Sequence, residues 1–429
     1  TGETIQSYPG FSPSAVEEIL QHADRAFAAW RGTTFATRAA TMKAAGELLR
    51  RHTETYARMM AQEMGKPLAQ GGSETEKCAW VCDYYAQHAE RFLSPEVIAT
   101  DAAKSYVTFE PLGIVLAVMP WNFPFWQVFR AAVPALMAGN AVVLKHASNV
   151  PGCALAIEEL FRQAGFPEGL FRALLVSTDQ VAGLIEHPLV KGVTLTGSTS
   201  AGRAIAAKAG ASLKKTVLEL GGSDPYLILE DADLEPTVEA CVASRLMNSG
   251  QSCISAKRFI VVESIRAQFE ERFVQLMHAQ KVGDPFDEAV TVGPLARHDL
   301  RDALHEQVRA SVQRGARVLL GGTIPDQKGA YYPPTVLTDV KKGMPVYGEE
   351  TFGPVAAIIG VKDEAEAIRV ANDSPFGLGA AVFTGEQTRG ERIATELEAG
   401  CCFVNAFVRS DPRLPFGGVK QSGYGRELS

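Results

Sequence analysis

The run NSGQSC ends on Cys253, a thiol placed on a polar, glycine-containing turn after a helical stretch. Buried structural cysteines are more often flanked by Leu, Ile or Val, so Cys253 is either an unremarkable small residue or a presented nucleophile. A free thiol titrates near about 8.5 and is only slightly ionised at pH 7, so a nucleophile needs a helix N-terminus, a cation or a base beside it. Thirty-four positions earlier, Glu219 stands in LELGG, an acid inside an apolar run that stops at two glycines. It pairs with a neighbour such as Lys214 or Lys215, or burial lifts its pKa toward neutrality and it acts as a general base. Asn122, in MPWNFPFWQ, is a turn asparagine among packed aromatics or an amide whose N–H donates to an oxyanion. In GSTSAG, Gly197 and Ser198 follow an apolar run and open a helical stretch. Such a place offers free backbone N–H groups to a phosphate, although Ser and Thr are also common helix caps. Glu350, in GEETFGPV, is a loop acid that is either solvated or a ligand contact.

Elements of a particular kind are needed to hold these groups. Between Ser14 and Phe92 the apolar residues recur with helical spacing. From Gly113 onward the pattern changes to short runs rich in Val, Ile and Leu: GIVLAVMP, AVVLKHA, GVTLTGS and TVLELGG, most of them closed by glycine or proline. Helical segments lie between them. Buried parallel strands with crossover helices have this pattern, and ligands collect at their carboxyl ends. A second alternation, YLILED, RFIVVES, ARVLLGG, AAIIGV and GAAVFT, predicts a second α/β unit from about Gly221 to Asn405. SYVTFEPLG alternates as an exposed strand and predicts a projecting hairpin that pairs with another subunit.

Composition excludes several classes. The chain has 429 residues, 46% hydrophobic and 21% charged, which is ordinary for a globular protein of two or three domains. A net charge of -7 gives no general reason to bind nucleic acid or an anionic membrane. No apolar run reaches the roughly eighteen residues of a membrane span, and TGETIQSYPG does not read as a signal peptide. Seven scattered cysteines, without a paired CxxC set, predict reduced thiols in a cytoplasmic setting and no metal site.

The ordered set PWNFP, LKHA, LTGS, LELGG, GQSC, EETFGPV and PFGGVKQSGYGRE resembles the aldehyde dehydrogenase superfamily over nearly the whole chain. The resemblance implies an α/β fold with a Rossmann-type cofactor domain, an α/β catalytic domain and a small oligomerisation hairpin. It divides the chain into a dinucleotide-binding domain over 1–98 and 112–220, a hairpin over 99–111, a catalytic domain over 221–405 and a return segment over 406–429. Cys253 is then the nucleophile, Asn122 the oxyanion donor and Glu219 the base that activates water. The implied cofactor contacts are Trp121, Lys145, Ser148, Gly197, Ser198, Glu350 and Phe352. Relatives that pass the acyl group to coenzyme A typically lack an acid at the Glu219 place, so release of a free carboxylate is implied.

Within the superfamily the chain is most similar to a short bacterial type of succinate-semialdehyde dehydrogenase. That likeness makes Arg130 and Ser410 the implied carboxylate contacts, with Trp126 and Phe407 lining the substrate tunnel and Arg409, beside Ser410, a second cation. Arg130 has another reading, a partner for a structural acid. Trp126, Phe125 and Phe407 would equally suit a dehydrogenase for other small aliphatic or aromatic aldehydes, or simple core packing. Met247 stands where a better-known branch has a further arginine, and Ser255 stands where that branch carries a second cysteine. Ser148 stands where NAD-selective members often have a glutamate, so NAD or NADP is expected to serve. A homodimer or homotetramer in the cytoplasm is implied. Because the chain starts at TGE and stops at GRELS, without the further strand of its relatives, a trimmed chain is expected.

Overall fold

Ser12 accepts a hydrogen bond from the Ala15 N–H, and Pro13 pre-sets the first turn of a helix that runs from Pro13 to Trp30. Its buried residues Ile19, Ala23, Ala26 and Trp30 recur three and four apart and mark one inward face. In the computed structural model, which describes residues 1–428, three more helices follow: Phe35–Arg51, Thr53–Met64 and Leu68–Phe92. Apolar spacing alone does not separate the second from the third. They divide at His52, where the Thr53 hydroxyl donates to the carbonyls of Leu49 and Arg50. Gly65, at φ 77°, ends the third helix in the left-handed region.

The chain then alternates strand and helix. A six-stranded sheet has the order Phe171–Ala173, Ala141–His146, Ile114–Met119, Val190–Thr196, Lys215–Glu219 and Gly423–Tyr424. The first five are parallel, and the last is an antiparallel edge. From Ile114–Met119 the chain builds outward to one side, then crosses back to place Val190–Thr196 on the other. The switch point, where open parallel sheets receive ligands, therefore lies between Ile114–Met119 and Val190–Thr196.

A seven-stranded sheet has the order Arg317–Leu320, Thr335–Thr338, Val355–Val361, Ala256–Val262, Asp224–Ile228, Gly379–Phe383 and Cys401–Val404. Only its first pair is antiparallel. Ala256–Val262 and Asp224–Ile228 are buried along their whole length, as a central strand covered on both faces requires. The chain passes from one sheet to the other between Glu219 and Asp224. The returning C-terminal segment is fastened at that junction. There the Ser422 hydroxyl donates to the Gly221 carbonyl at 2.6 Å and accepts from the Gly377 N–H at 3.0 Å.

Glu96–Val97 and Tyr106–Val107 form a two-stranded antiparallel ribbon whose residues are exposed. The strand expected over 105–113 shrinks to two paired residues, because among the described residues no further strand runs beside it and Pro111 has no N–H to offer. No helix among the described residues is long and apolar enough to cross a membrane.

Candidate active site

The backbone before Cys253 is unusual. Asn248, Ser249 and Gly250 take φ values of 53°, 55° and 76°, three consecutive left-handed residues. Such conformations cost free energy and persist only where surrounding contacts impose them. Here the contacts are specific. The Asn248 amide donates to the carbonyls of Asn122 at 2.7 Å and Gln251 at 3.1 Å, while the Asn248 N–H donates to Gln70. Ser249 accepts from the Gly293 N–H, Arg245 donates to the Gly250 carbonyl, and Gln251 accepts from the Ala296 N–H. On the far side of Cys253, the buried Lys257 ammonium donates to the carbonyls of Ser252, Cys253 and Ser255. A thiol between two such clamps has a fixed direction.

That direction is into a cavity of about 620 Å³, whose walls include Phe123, Trp126, Leu246, Met247, Cys253, Ser410 and Phe416. Cys253 is half-buried, and all seven cysteines are free. Burial pushes the Cys253 thiol up to about 12, against the pull of Arg130 and Lys257, so the resting sulfur carries its proton.

Asn122 lies just past Ile114–Met119 and is buried. Its amide nitrogen donates to the Gln251 carbonyl at 3.0 Å, two residues before Cys253. An amide has two N–H bonds, and this contact uses one. Two residues that sequence reasoning passed over hold the PWNFP turn. His146 accepts at Nδ1 from the Ala147 N–H and donates from Nε2 to the Pro124 carbonyl; burial drops its pKa to about 4, so it is neutral. Glu74, from helix Leu68–Phe92, accepts from the N–H groups of Phe125 and Trp126 and pairs with buried Lys66. It thereby caps helix Trp126–Met137, which has no side-chain cap of its own. The only sequence signal was an acid and a lysine eight apart.

Glu219 ends Lys215–Glu219 and is 2% exposed; among the described residues no side chain hydrogen-bonds its carboxylate, which the Gly418 N–H faces. Burial lifts its pKa to about 8; Arg130 opposes this and Glu427 adds to it. The expected neighbours do not supply a partner, since Lys214 donates instead to the carbonyls of Ile185 and His187. Arg130, expected to grip a substrate carboxylate, already carries one of the protein's own. Its Nε donates to Glu427, its Nη2 donates to Thr196 at 3.1 Å, and Glu219 lies 4.0 Å away. The alternative weighed for it, a partner for a structural acid, describes these contacts. Arg130 still borders the cavity, with its guanidinium over Phe416.

The other implied contacts fall in two places. Trp126 and Ser410 line the cavity, as does Met247, whereas Phe407 is half-buried against the core and is not part of its wall. Phe125 is fully buried against Tyr56, and Arg409 is exposed. Trp121, Lys145, Ser148, Gly197 and Ser198 stand at or just beyond the carboxyl ends of three neighbouring parallel strands. Ser198 caps helix Thr199–Ala211. Lys145 is 8% exposed, yet its ammonium makes no hydrogen bond or ion pair among the described residues, and burial lowers its pKa. Trp121 meets Phe352 edge-on at 5.8 Å. Glu350 accepts from the Gly222 N–H at 3.0 Å and lies 3.7 Å from Lys257, which ties it to the clamp on Cys253.

Known proteins carry the same chain path. A probable succinate-semialdehyde dehydrogenase [NADP(+)] of Synechocystis is 48% identical over 100% of this chain and 94% of its own length. A succinate semialdehyde dehydrogenase [NAD(P)+] of Escherichia coli is 48% identical over 100% of this chain and 93% of its own. The crystal structure of succinic semialdehyde dehydrogenase from Streptococcus pyogenes, in complex with NADP+, superposes with a TM-score of 0.97 at 39% identity, covering 99% of this chain and 94% of that one. The family model described as the aldehyde dehydrogenase family matches residues 1–429, from the first helices to the returning C-terminal segment, and the chain belongs to that family.

Proposed function

We propose that the protein oxidises succinate semialdehyde to succinate with NAD+ or NADP+, through a thioester on Cys253. The observation that carries this reading is a cavity-lining thiol whose loop is held by the Asn122 amide, with the buried Glu219 beside Arg130, which borders the same cavity. The substrate and cofactor follow the relatives at 48% identity.

Cys253 attacks the aldehyde carbon as its thiol proton passes to solvent water, and the oxygen of the adduct meets the second N–H of Asn122. The chemistry that a nicotinamide would supply when bound is that of an acceptor for the hydride on the substrate carbon. Glu219 then takes a proton from water, whose oxygen attacks the thioester and frees the acid and the thiol. The residues present fit a dinucleotide. Lys145 is a desolvated ammonium without an acceptor among the described residues, Ser198 and Gly197 open a helix whose first two N–H groups have no partner within the helix, and Trp121 and Phe352 make an aromatic wall. Glu350 would be the carboxylate for the nearer ribose. Ser148 is exposed and brings no negative charge to the adenine end, which suits a 2′-phosphate as well as a hydroxyl. The hairpin supports assembly as a homodimer or homotetramer, and the free thiols support a cytoplasmic setting.

The test follows reduced nicotinamide by absorbance, with succinate semialdehyde against butyraldehyde. Wild type is expected to form one reduced nicotinamide per acid and to favour the semialdehyde. Cys253→Ala is expected to lose roughly four or more orders of magnitude in rate. Aldehyde consumption that ignores NAD(P) would mean a thiol hydrolase instead, and equal use of both aldehydes would withdraw the substrate.

A further inference from the structure

We propose that Lys257, beneath the Cys253 turn, is a positioning residue for acylation. Its charge polarises the Ser252–Cys253 peptide and so strengthens the Cys253 N–H toward the oxyanion that Asn122 also meets. The inference rests on the thioester reading of this site and deepens it, by assigning a source of charge to the first step.

Lys257 is the second residue of strand Ala256–Val262 and is fully buried. Its ammonium donates to the carbonyls of Cys253 at 2.7 Å, Ser252 at 2.9 Å and Ser255 at 3.3 Å. A neutral amine has two N–H bonds, so three acceptors mark the charged form. Glu350, 3.7 Å away, is its one ion-pair partner among the described residues. Asp224, Arg245 and Cys253 also face it through charge. Neutral donors would serve three carbonyls equally well, whereas an ammonium in this place is costly to desolvate. A purely structural role leaves that cost unexplained.

Amide chemistry supplies a use for the charge. The Ser252 carbonyl and the Cys253 N–H belong to one peptide unit. A cation on the oxygen draws electron density from the nitrogen, and the N–H becomes a stronger donor. The Cys253 N–H donates to no group among the described residues. It stands on the nucleophile itself, beside any adduct that the sulfur forms. The Asn122 amide, fastened to the Gln251 carbonyl, reaches the same loop from another element. Burial raises the Cys253 pKa while Arg130 and Lys257 pull it down, so the Lys257 charge is felt at the reacting sulfur. A fixed charge away from bulk water needs no reorganisation when the oxyanion forms.

The test compares two reactions of the same thiol, neither of which uses a nicotinamide. p-Nitrophenyl acetate acylates sulfur through a tetrahedral oxyanion: the S–C bond forms, p-nitrophenolate leaves and the thiol proton goes to water. Iodoacetamide alkylates sulfur at a saturated carbon, releasing iodide and the thiol proton, with no oxyanion. The ratio of the two rates cancels changes in thiolate fraction, and Cys253→Ala supplies the background of the other thiols. In Lys257→Met the ratio of acylation to alkylation is expected to fall about tenfold. In Asn122→Ala, which removes a donor outright, it should fall roughly a hundredfold. Two rates that fall together in Lys257→Met, or an unchanged ratio, would assign Lys257 to structure and overturn the proposal. If Lys257→Met does not fold, Lys257→Gln, which keeps two N–H bonds without the charge, decides in the same way. The two readings fail separately. A ratio that depends on Lys257 in a protein that oxidises no aldehyde sinks only the reaction. Oxidation through Cys253 with a ratio indifferent to Lys257 sinks only this inference.

Discussion

The protons on Cys253 and Glu219 set the pH behaviour. Glu219 serves as base only when ionised, and burial, reinforced by Glu427 and opposed by Arg130 and Arg426, holds it near about 8. As far as water attack limits turnover, kcat should rise as pH passes upward through that region, for either aldehyde. Glu219→Gln should abolish that limb and leave a burst of reduced nicotinamide followed by slow turnover. Steady-state profiles of kcat from about pH 6 to 10 check this limb, and a flat profile would contradict the assignment. At this scale the sequence displayed the reacting groups, because each lies in a short run of unusual composition. It could not display what they touch. Glu427 meets Arg130 from 297 positions away and Glu74 meets Phe125 from 51, and only the tertiary path creates those pairs.

The turn from Asn248 to Gly250 shows what an element contributes beyond its residues. Asn, Ser and Gly tolerate left-handed backbone better than branched residues, so the run is permissive in sequence, but three in succession follow only from the clamps around it. Gly250 is the least replaceable of the three. A Cβ there would overlap the Gly353 carbonyl, and both are main-chain atoms with no rotamer to yield. Left-handed backbone alone costs an alanine about 1–2 kcal/mol. Gly250→Ala should exceed that in urea unfolding and should also lower the acylation rate, since Gln251 and Cys253 shift with the turn. Loss of stability within that range and an unchanged single-turnover rate would show that the turn has slack. Buried strands were legible as runs of Val, Ile and Leu closed by glycine. Helix Phe35–Arg51 was not separable from Thr53–Met64, because one hydroxyl divides them without breaking the apolar period.

For the whole molecule, the ribbon of Glu96–Val97 and Tyr106–Val107 is the feature that a single chain leaves unsatisfied. Val97 is 77% exposed and Tyr106 53%, and Ile98, Val107, Phe109 and Leu112 are exposed beside them. A two-stranded ribbon with an apolar surface is marginal in water and has open edges for pairing. Closed assembly of identical copies would cover it, since a self-complementary contact uses the same patch on each chain. Val97 and Tyr106 are cross-strand partners, which provides a controlled substitution. Val97→Lys with Tyr106→Glu places opposite charges across the pair, so the ribbon keeps a stabilising contact while its apolar face is lost. Light scattering after gel filtration should give a multiple of the chain mass for the wild type and a smaller assembly for the double variant, with far-ultraviolet circular dichroism unchanged. A wild type of one chain mass, or a variant that keeps its assembly, would place the contact elsewhere and leave the ribbon free for another role.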